Sequence, residues 1–188
     1  MNCLILNYTD FILNYAQQSV ILLSVQNWIF IAVTAFLMTF LMVYLARKKY
    51  IRKTQAVAWI LFVTYLSFVF ISTVYARNDA GVYQYRLQPF WSYREVFRAG
   101  RIDLLVENFL NVLLLLPIGI LFPALSRKIK FRHTVALTAV ISYTIEFSQL
   151  FLRRGLFELV DDPFHNVMGA VVGYCIYYVA EKKDKCFS

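Results

Sequence analysis

Residues 28–46 and 56–76 form two apolar runs without a single charged side chain. Each is long enough to cross the hydrocarbon core of a bilayer, which takes about 20 mostly apolar residues. Three more runs follow at 104–125, 135–152 and 163–180, and these carry polar residues near one end. The chain is 60% hydrophobic with a mean hydropathy of +0.59, above the roughly 45–50% apolar share of soluble domains. The fold class expected is all-α: a polytopic membrane helix bundle of about five transmembrane helices, with short amphipathic helices beside it. The 188 residues suffice for one domain.

The net charge of +8 would raise nucleic acid as a partner in a soluble protein. Here the charges sit at the ends of apolar runs, which is the pattern of membrane orientation, so no nucleic acid is expected. Five spans put the termini on opposite sides. One side receives the loops 47–53 and 127–132 and the C-terminal tail, with all eight lysines and four arginines. The other side has seven arginines, no lysine and most of the acids. The first side is then cytoplasmic, with the N-terminus outside and the C-terminus inside. Cys175 lies in an apolar run and Cys3 and Cys186 near opposite ends, a placement that suggests neither a disulfide nor a metal site. No Lys or Arg precedes Arg47, so no signal peptide is expected.

Five parts follow from this reading. Residues 1–26 carry Asn7, Asp10, Asn14 and Gln17 at helical spacing, and read either as an amphipathic helix on the membrane or as a loosely ordered extension. Residues 27–76 form a two-helix membrane hairpin. Residues 77–102 form an extracytoplasmic loop, with a short helix starting at Tyr93 behind a Ser92/Glu95 capping box and ending at Gly100. Residues 103–181 form a three-helix core, and 182–188 a cytoplasmic tail.

The polar residues of the core are its informative part. Asn108 and Asn111 share a face of span three, and Glu146 and Gln149 share a face of span four. Pro117 and Gly119 are expected to loosen span three and kink it. Arg153, Arg154, Glu158 and Asp161 lie in the next loop. Asp162 reads as the N-cap of span five and Pro163 as its first helical residue, with His165 and Asn166 in the first turns. Gly169 and Gly173 make a small-xxx-small pair that lets helices approach closely. At about 1.5 Å per residue these polar groups fall at one depth. The expectation is an outward-facing polar pocket between spans three, four and five.

Each residue also has a plainer reading. An ionisable group within a span is rare and faces the bundle interior, which makes Glu146 the strongest signal. Asn108, Asn111, Gln149 and Asn166 can be interhelical glue worth about 1 kcal/mol each. Asp162 is explained as a cap, and Asp161 has no such explanation. His165, in a helix first turn, is held neutral by the helix dipole and could serve as a base. Arg153 and Arg154 either mark the interface or grip an anion.

The same residues carry a resemblance. The chain resembles the VanZ-like family of bacterial membrane proteins, named after the accessory teicoplanin-resistance protein. The likeness runs from about Leu87 to Tyr178 through Gln88-Pro89-Phe90, ENFLNVLLLLPIG, the Glu146-x-x-Gln149 pair and RGLFE…DD…HN…G…G. The resemblance implies a helical protein of the cell envelope, a link to glycopeptide resistance in some members, and no cofactor.

Two functions compete. In the first, the pocket binds an anionic lipid or cell-wall headgroup. In the second, a membrane-embedded enzyme acts on a lipid-linked cell-wall precursor, with Glu146, Asp161, Asp162 or His165 as acid or base. The sequence has no HExxH, no GxSxG and no phosphatase-like Arg/His set, which favours the first. A transporter would need polar groups toward the cytoplasmic side, and the inner halves of spans three to five carry no charge. Every basic residue assigned to the outside is arginine, whose planar fork grips phosphate or carboxylate at two points. The ligand residues expected are therefore Arg153 and Arg154 at the mouth, beside Arg94, Arg98 and Arg101 on the loop helix, with Asn108, Asn111, Glu146, Gln149, Asp161, Asp162, His165 and Asn166 lining the pocket, of which Glu146, Asn111 and Asn166 lie deeper.

Overall fold

The computed structural model describes residues 24–76, 84–126, 128–153, 156–158 and 160–187. The amphipathic segment expected within 1–26 lies almost wholly outside the described residues. In chain order the elements are α1 (Val25–Arg47), α2 (Lys53–Phe70), a π-turn (Ile71–Tyr75), β1 (Gln84–Arg86), α3 (Trp91–Ala99), α4 (Asp103–Leu125), α5 (Phe131–Phe151), β2 (Leu156–Glu158) and α6 (Asp161–Phe187). The protein is an all-α membrane bundle. Among the described residues four helices, α1, α2 with its π-turn, α4 and α5, are long and apolar enough to cross a membrane. The fifth expected span, α6, is 27 residues long and opens with Asp161, Asp162, His165 and Asn166, which lower its hydropathy.

The core lies between α2, α4 and α5, where Val69, Val74, Leu115, Ile118 and Ile145 are almost fully buried. Phe62 of α2 packs on Phe122 of α4 with ring centroids 5.0 Å apart. By contrast α1 buries only Ile31 and Met42, while Phe36 and Phe40 remain exposed. In a bilayer such side chains face lipid. The start of α1 is fixed by Ser24, whose Oγ accepts from the Asn27 N–H at 3.3 Å.

α4 runs unbroken through Pro117 and Pro123. Proline removes an intrahelical N–H donor. Near that defect the Leu114 carbonyl gains an outside donor, the Tyr65 hydroxyl of α2 at 2.8 Å. At the far end Gln55 Nε2 donates to the Leu125 carbonyl at 3.1 Å, covering one of the orphaned acceptors of the helix terminus. Gly119 is a contact point between helices. A Cβ there would collide with the backbone of Ala170 in α6. Cβ atoms at Gly169 and Gly173 would likewise collide with the carbonyls of Val112 and Leu116. The close approach is therefore reciprocal, with glycines on both helices, and it holds α6 against α4.

Two features tie the polar end together that the sequence does not announce. β1 and β2 pair in parallel with Gln84 opposite Leu156 and Arg86 opposite Glu158, so the loop before α3 is strapped to the loop before α6. The π-turn ends α2 with an i→i−5 bond from the Ala76 N–H to the Ile71 carbonyl at 2.8 Å. Such turns free a carbonyl for an outside donor, and here the carbonyl of Thr73 takes one from α5.

Candidate functional site

The polar residues predicted from sequence gather at one end of the bundle, around the start of α6. Asp161 is 1% exposed. Its Oδ1 accepts from the Phe90 N–H at 2.5 Å, and its Oδ2 accepts from the Ser92 N–H at 3.1 Å and the Ser92 hydroxyl at 2.7 Å. These donors are the opening of α3. The carboxylate thus caps a helix some 70 residues away in sequence, beside the positive end of its dipole. That explains a difference from the sequence reading. α3 begins at Trp91 rather than Tyr93, and Ser92 lies inside it rather than capping it. Phe90, the cap position, has φ 56° and makes no side-chain cap of its own. Gly100 ends the helix as expected, at φ 66°.

Asn108 donates from Nδ2 to the Ser92 hydroxyl at 3.1 Å, and Asn111 from Nδ2 to Asp162 Oδ1 at 2.6 Å. The two asparagines do share a face, and that face meets the starts of α3 and α6. Asp162 is not the N-cap. The Phe164 N–H bonds to the Val160 carbonyl, so the helix opens two residues earlier than expected, at Asp161, and Asp162 sits within its first turn. The cost of two adjacent carboxylates is offset there by the helix dipole and by these donors.

His165 is held at both ring nitrogens. Nδ1 lies 2.6 Å from the Asp161 carbonyl, and Nε2 lies 2.7 Å from the Tyr93 hydroxyl. A carbonyl only accepts, so Nδ1 carries the hydrogen. In the neutral ring Nε2 then accepts from Tyr93. The nitrogen that could act as a base is covered by Tyr93.

Glu146, 1% exposed, and Gln149, 3% exposed, are buried on α5. Gln149 was expected to face spans three and five. Instead its Nε2 donates to the Thr73 carbonyl of the π-turn at 3.0 Å, so it faces α2. Asn166 donates from Nδ2 to the Ser142 hydroxyl at 2.8 Å. The oxygens Gln149 Oε1 and Asn166 Oδ1 are buried without a hydrogen-bond partner. Arg153 is exposed at the turn after α5 with φ 56°. Arg154 lies outside the described residues. Among the other arginines of this end, Arg94 and Arg98 are exposed on α3. Arg86 stacks over the Trp91 ring at 4.2 Å, and Arg101 grips Asp103 with its closest contact at 2.5 Å. No group of three or more potential metal ligands occurs among the described residues.

Sequence reasoning missed Ser92, Tyr93, Thr73 and Ser142 as partners. A signal for the last was present. Thr134, Thr138, Ser142 and Glu146 recur every four residues, the spacing of one helix face, and all four are at most 1% exposed. Ser92 and Tyr93 gave none, because their partners come from α4 and α6.

Apolar spans closed at one end by a buried polar network and an arginine-bearing helix define a multi-pass helical membrane protein. The VanZ/LLP1 family model matches residues 56–181, and the chain belongs to that family. No curated protein and no solved structure matches it.

Proposed function

We propose that this VanZ-like protein lies in the bacterial cell membrane with its N-terminus outside and its C-terminus in the cytoplasm, α6 being the fifth span. In this reading the polar end faces outward and binds an anionic lipid or cell-wall headgroup. The observation that carries it is the arginine-only rim over a buried polar network. Arg94 and Arg98 project from α3, Arg153 stands at the end of α5, and Asp161 and Asn108 fix α3 against the bundle. An exposed pair of guanidinium forks on a fixed helix suits a phosphate or carboxylate. Glu146, Asn111, Asn166 and Arg154 complete the ligand set as the deeper and flanking residues. A link to teicoplanin resistance is the role the family name implies.

The test replaces Arg94, Arg98, Arg153 and Arg154 by lysine in full-length protein. Charge is kept and the fork is lost. Native mass spectrometry with phosphatidylglycerol, against phosphatidylcholine as control, should show weaker retention of the anionic lipid by the variant. Undiminished retention, with the variant still folded in the membrane, refutes bidentate recognition.

The second reading, an enzyme acting on a lipid-linked cell-wall precursor, is favoured by one observation, the Tyr93–His165 hydrogen bond. Turnover of such a precursor by purified protein, lost in Tyr93→Phe and His165→Gln, would establish it.

A further inference from the structure

Beside the polar network lies a second feature that the headgroup reading does not use. A groove of about 620 Å³ runs between α1, α2 and α5. Its volume falls within the range of about 300–1,000 Å³ typical of ligand clefts. Phe30, Leu66, Phe70, Ile141 and Ile145 form its apolar walls. Two hydroxyls also reach the wall, Ser67 and Thr144, and both are turned back on their own helices. Ser67 Oγ donates to the Val63 carbonyl at 2.8 Å, and Thr144 Oγ1 to the Val140 carbonyl at 2.7 Å. Their protons are thereby engaged within the helices and are not available to an occupant. Gln26, Asn27 and Tyr75 line the groove as well, and they belong to the first turn of α1 and the end of the π-turn.

The walls are thus apolar along the spans and polar at the end that carries the network. That is the polarity of a lipid, whose chain lies in the hydrocarbon and whose head lies at the interface. We propose that this groove is a binding site for one fatty acyl chain of a membrane phospholipid, its glycerol end at Gln26, Asn27 and Tyr75. The medium around α1, α2 and α5 is itself acyl chains, so the occupant needs no access route. The groove's lining includes none of Asn108, Asn111, Glu146, Gln149, Asp161, Asp162, His165 and Asn166, the residues of the polar network. The site is therefore independent of the headgroup reading.

The experiment uses full-length protein in nanodiscs of phosphatidylethanolamine and phosphatidylglycerol, doped with a phosphatidylglycerol bearing a diazirine in its acyl chain. Adducts are mapped by peptide mass spectrometry. Labelling should concentrate on Phe30, Leu66 and Ile141 over Phe36 and Phe40, which are exposed on α1 away from the groove. Filling the groove with Leu66→Trp should cut labelling at Phe30 and Ile141 about fivefold and leave Phe36 and Phe40 unchanged. Ile141→Phe serves as a second filling variant should the first not fold. Equal labelling of groove and outer face would overturn the proposal, as would groove labelling that survives both variants. A groove protected from the probe in a protein that runs as a dimer would place a second copy there and also overturn it. The arginine-to-lysine variant should label normally, so failure of one reading leaves the other standing.

Discussion

Asp161→Ala is the change with the most readable consequence. The carboxylate accepts three hydrogen bonds, and two of the donors are backbone N–H groups at the opening of α3. Losing a helix cap costs about 1 kcal/mol. Each buried N–H left without an acceptor costs a further ~1–3 kcal/mol. The Ser92 hydroxyl loses its acceptor too, although it still accepts from Asn108. Partial rehydration offsets some of this, so the whole effect is about 3–5 kcal/mol, the scale for breaking one side of a buried charged contact. Asp161→Asn keeps one acceptor oxygen. If that oxygen stays with Ser92, the new NH₂ meets the Phe90 N–H and one donor is stranded, at about 1–3 kcal/mol.

The loss should appear first in α3. Nine residues make too short a helix to hold in water without tertiary support. Native-state hydrogen exchange on the protein in nanodiscs reads that support directly. At roughly tenfold per 1.4 kcal/mol, amides of α3 should exchange on the order of 100- to 1,000-fold faster in Asp161→Ala and roughly 10- to 100-fold faster in Asp161→Asn. Amides in the centre of α4 should not change. A double-mutant cycle with Ser92→Ala should give a coupling of about 1 kcal/mol, since the two side chains bond each other. Exchange within twofold of wild type in Asp161→Ala would refute the cap, and with it the account of how α3 is held.

Gly173→Val should lower the thermal stability in detergent by about 3 kcal/mol or prevent folding, because its Cβ meets the Leu116 backbone. Gly100→Ala meets open space but carries the cost of φ 66°, so it should lose only about 1 kcal/mol; equal losses in the two variants would refute the close-packing argument. Gln149→Leu should cost about 0.6–1.7 kcal/mol in an unfolding titration, the range for interhelical hydrogen bonds, and raise exchange in the π-turn; no change at either would remove the bond to Thr73. A reporter fused after Ser188 should read as cytoplasmic, and an extracytoplasmic signal would reverse the orientation and the outward-facing site together.

Hydropathy alone is enough to place the apolar helices, because a bilayer leaves a 20-residue apolar run few alternatives. The shared face of Asn108 and Asn111 is legible for a similar reason, since helical spacing is a local rule. What is not legible is which element each polar group meets. Asp161 looked unexplained in sequence because the helix it caps lies about 70 residues upstream. Gln149 could be assigned to a face, but not to α2, since the π-turn that frees the Thr73 carbonyl has no sequence signature. Gly119 next to Pro117 looked like a flexible point, and only the approach of Ala170 turns it into a packing residue. The ribbon of β1 and β2 has three residues per strand, below the length at which alternation can be read.

The two sites differ in what builds them. The polar network draws on α3, α4, α5 and α6, all inside the family match of 56–181. The groove takes one wall and part of its polar end from α1, through Phe30, Gln26 and Asn27, which lie before the match begins. α1 contributes little else, with only Ile31 and Met42 buried. It holds on mainly through α2, where Trp28 lies against Phe68 with centroids 6.5 Å apart. The proposed headgroup site therefore rests on residues of the family core, whereas the proposed acyl-chain groove depends on how this chain sets its own first helix.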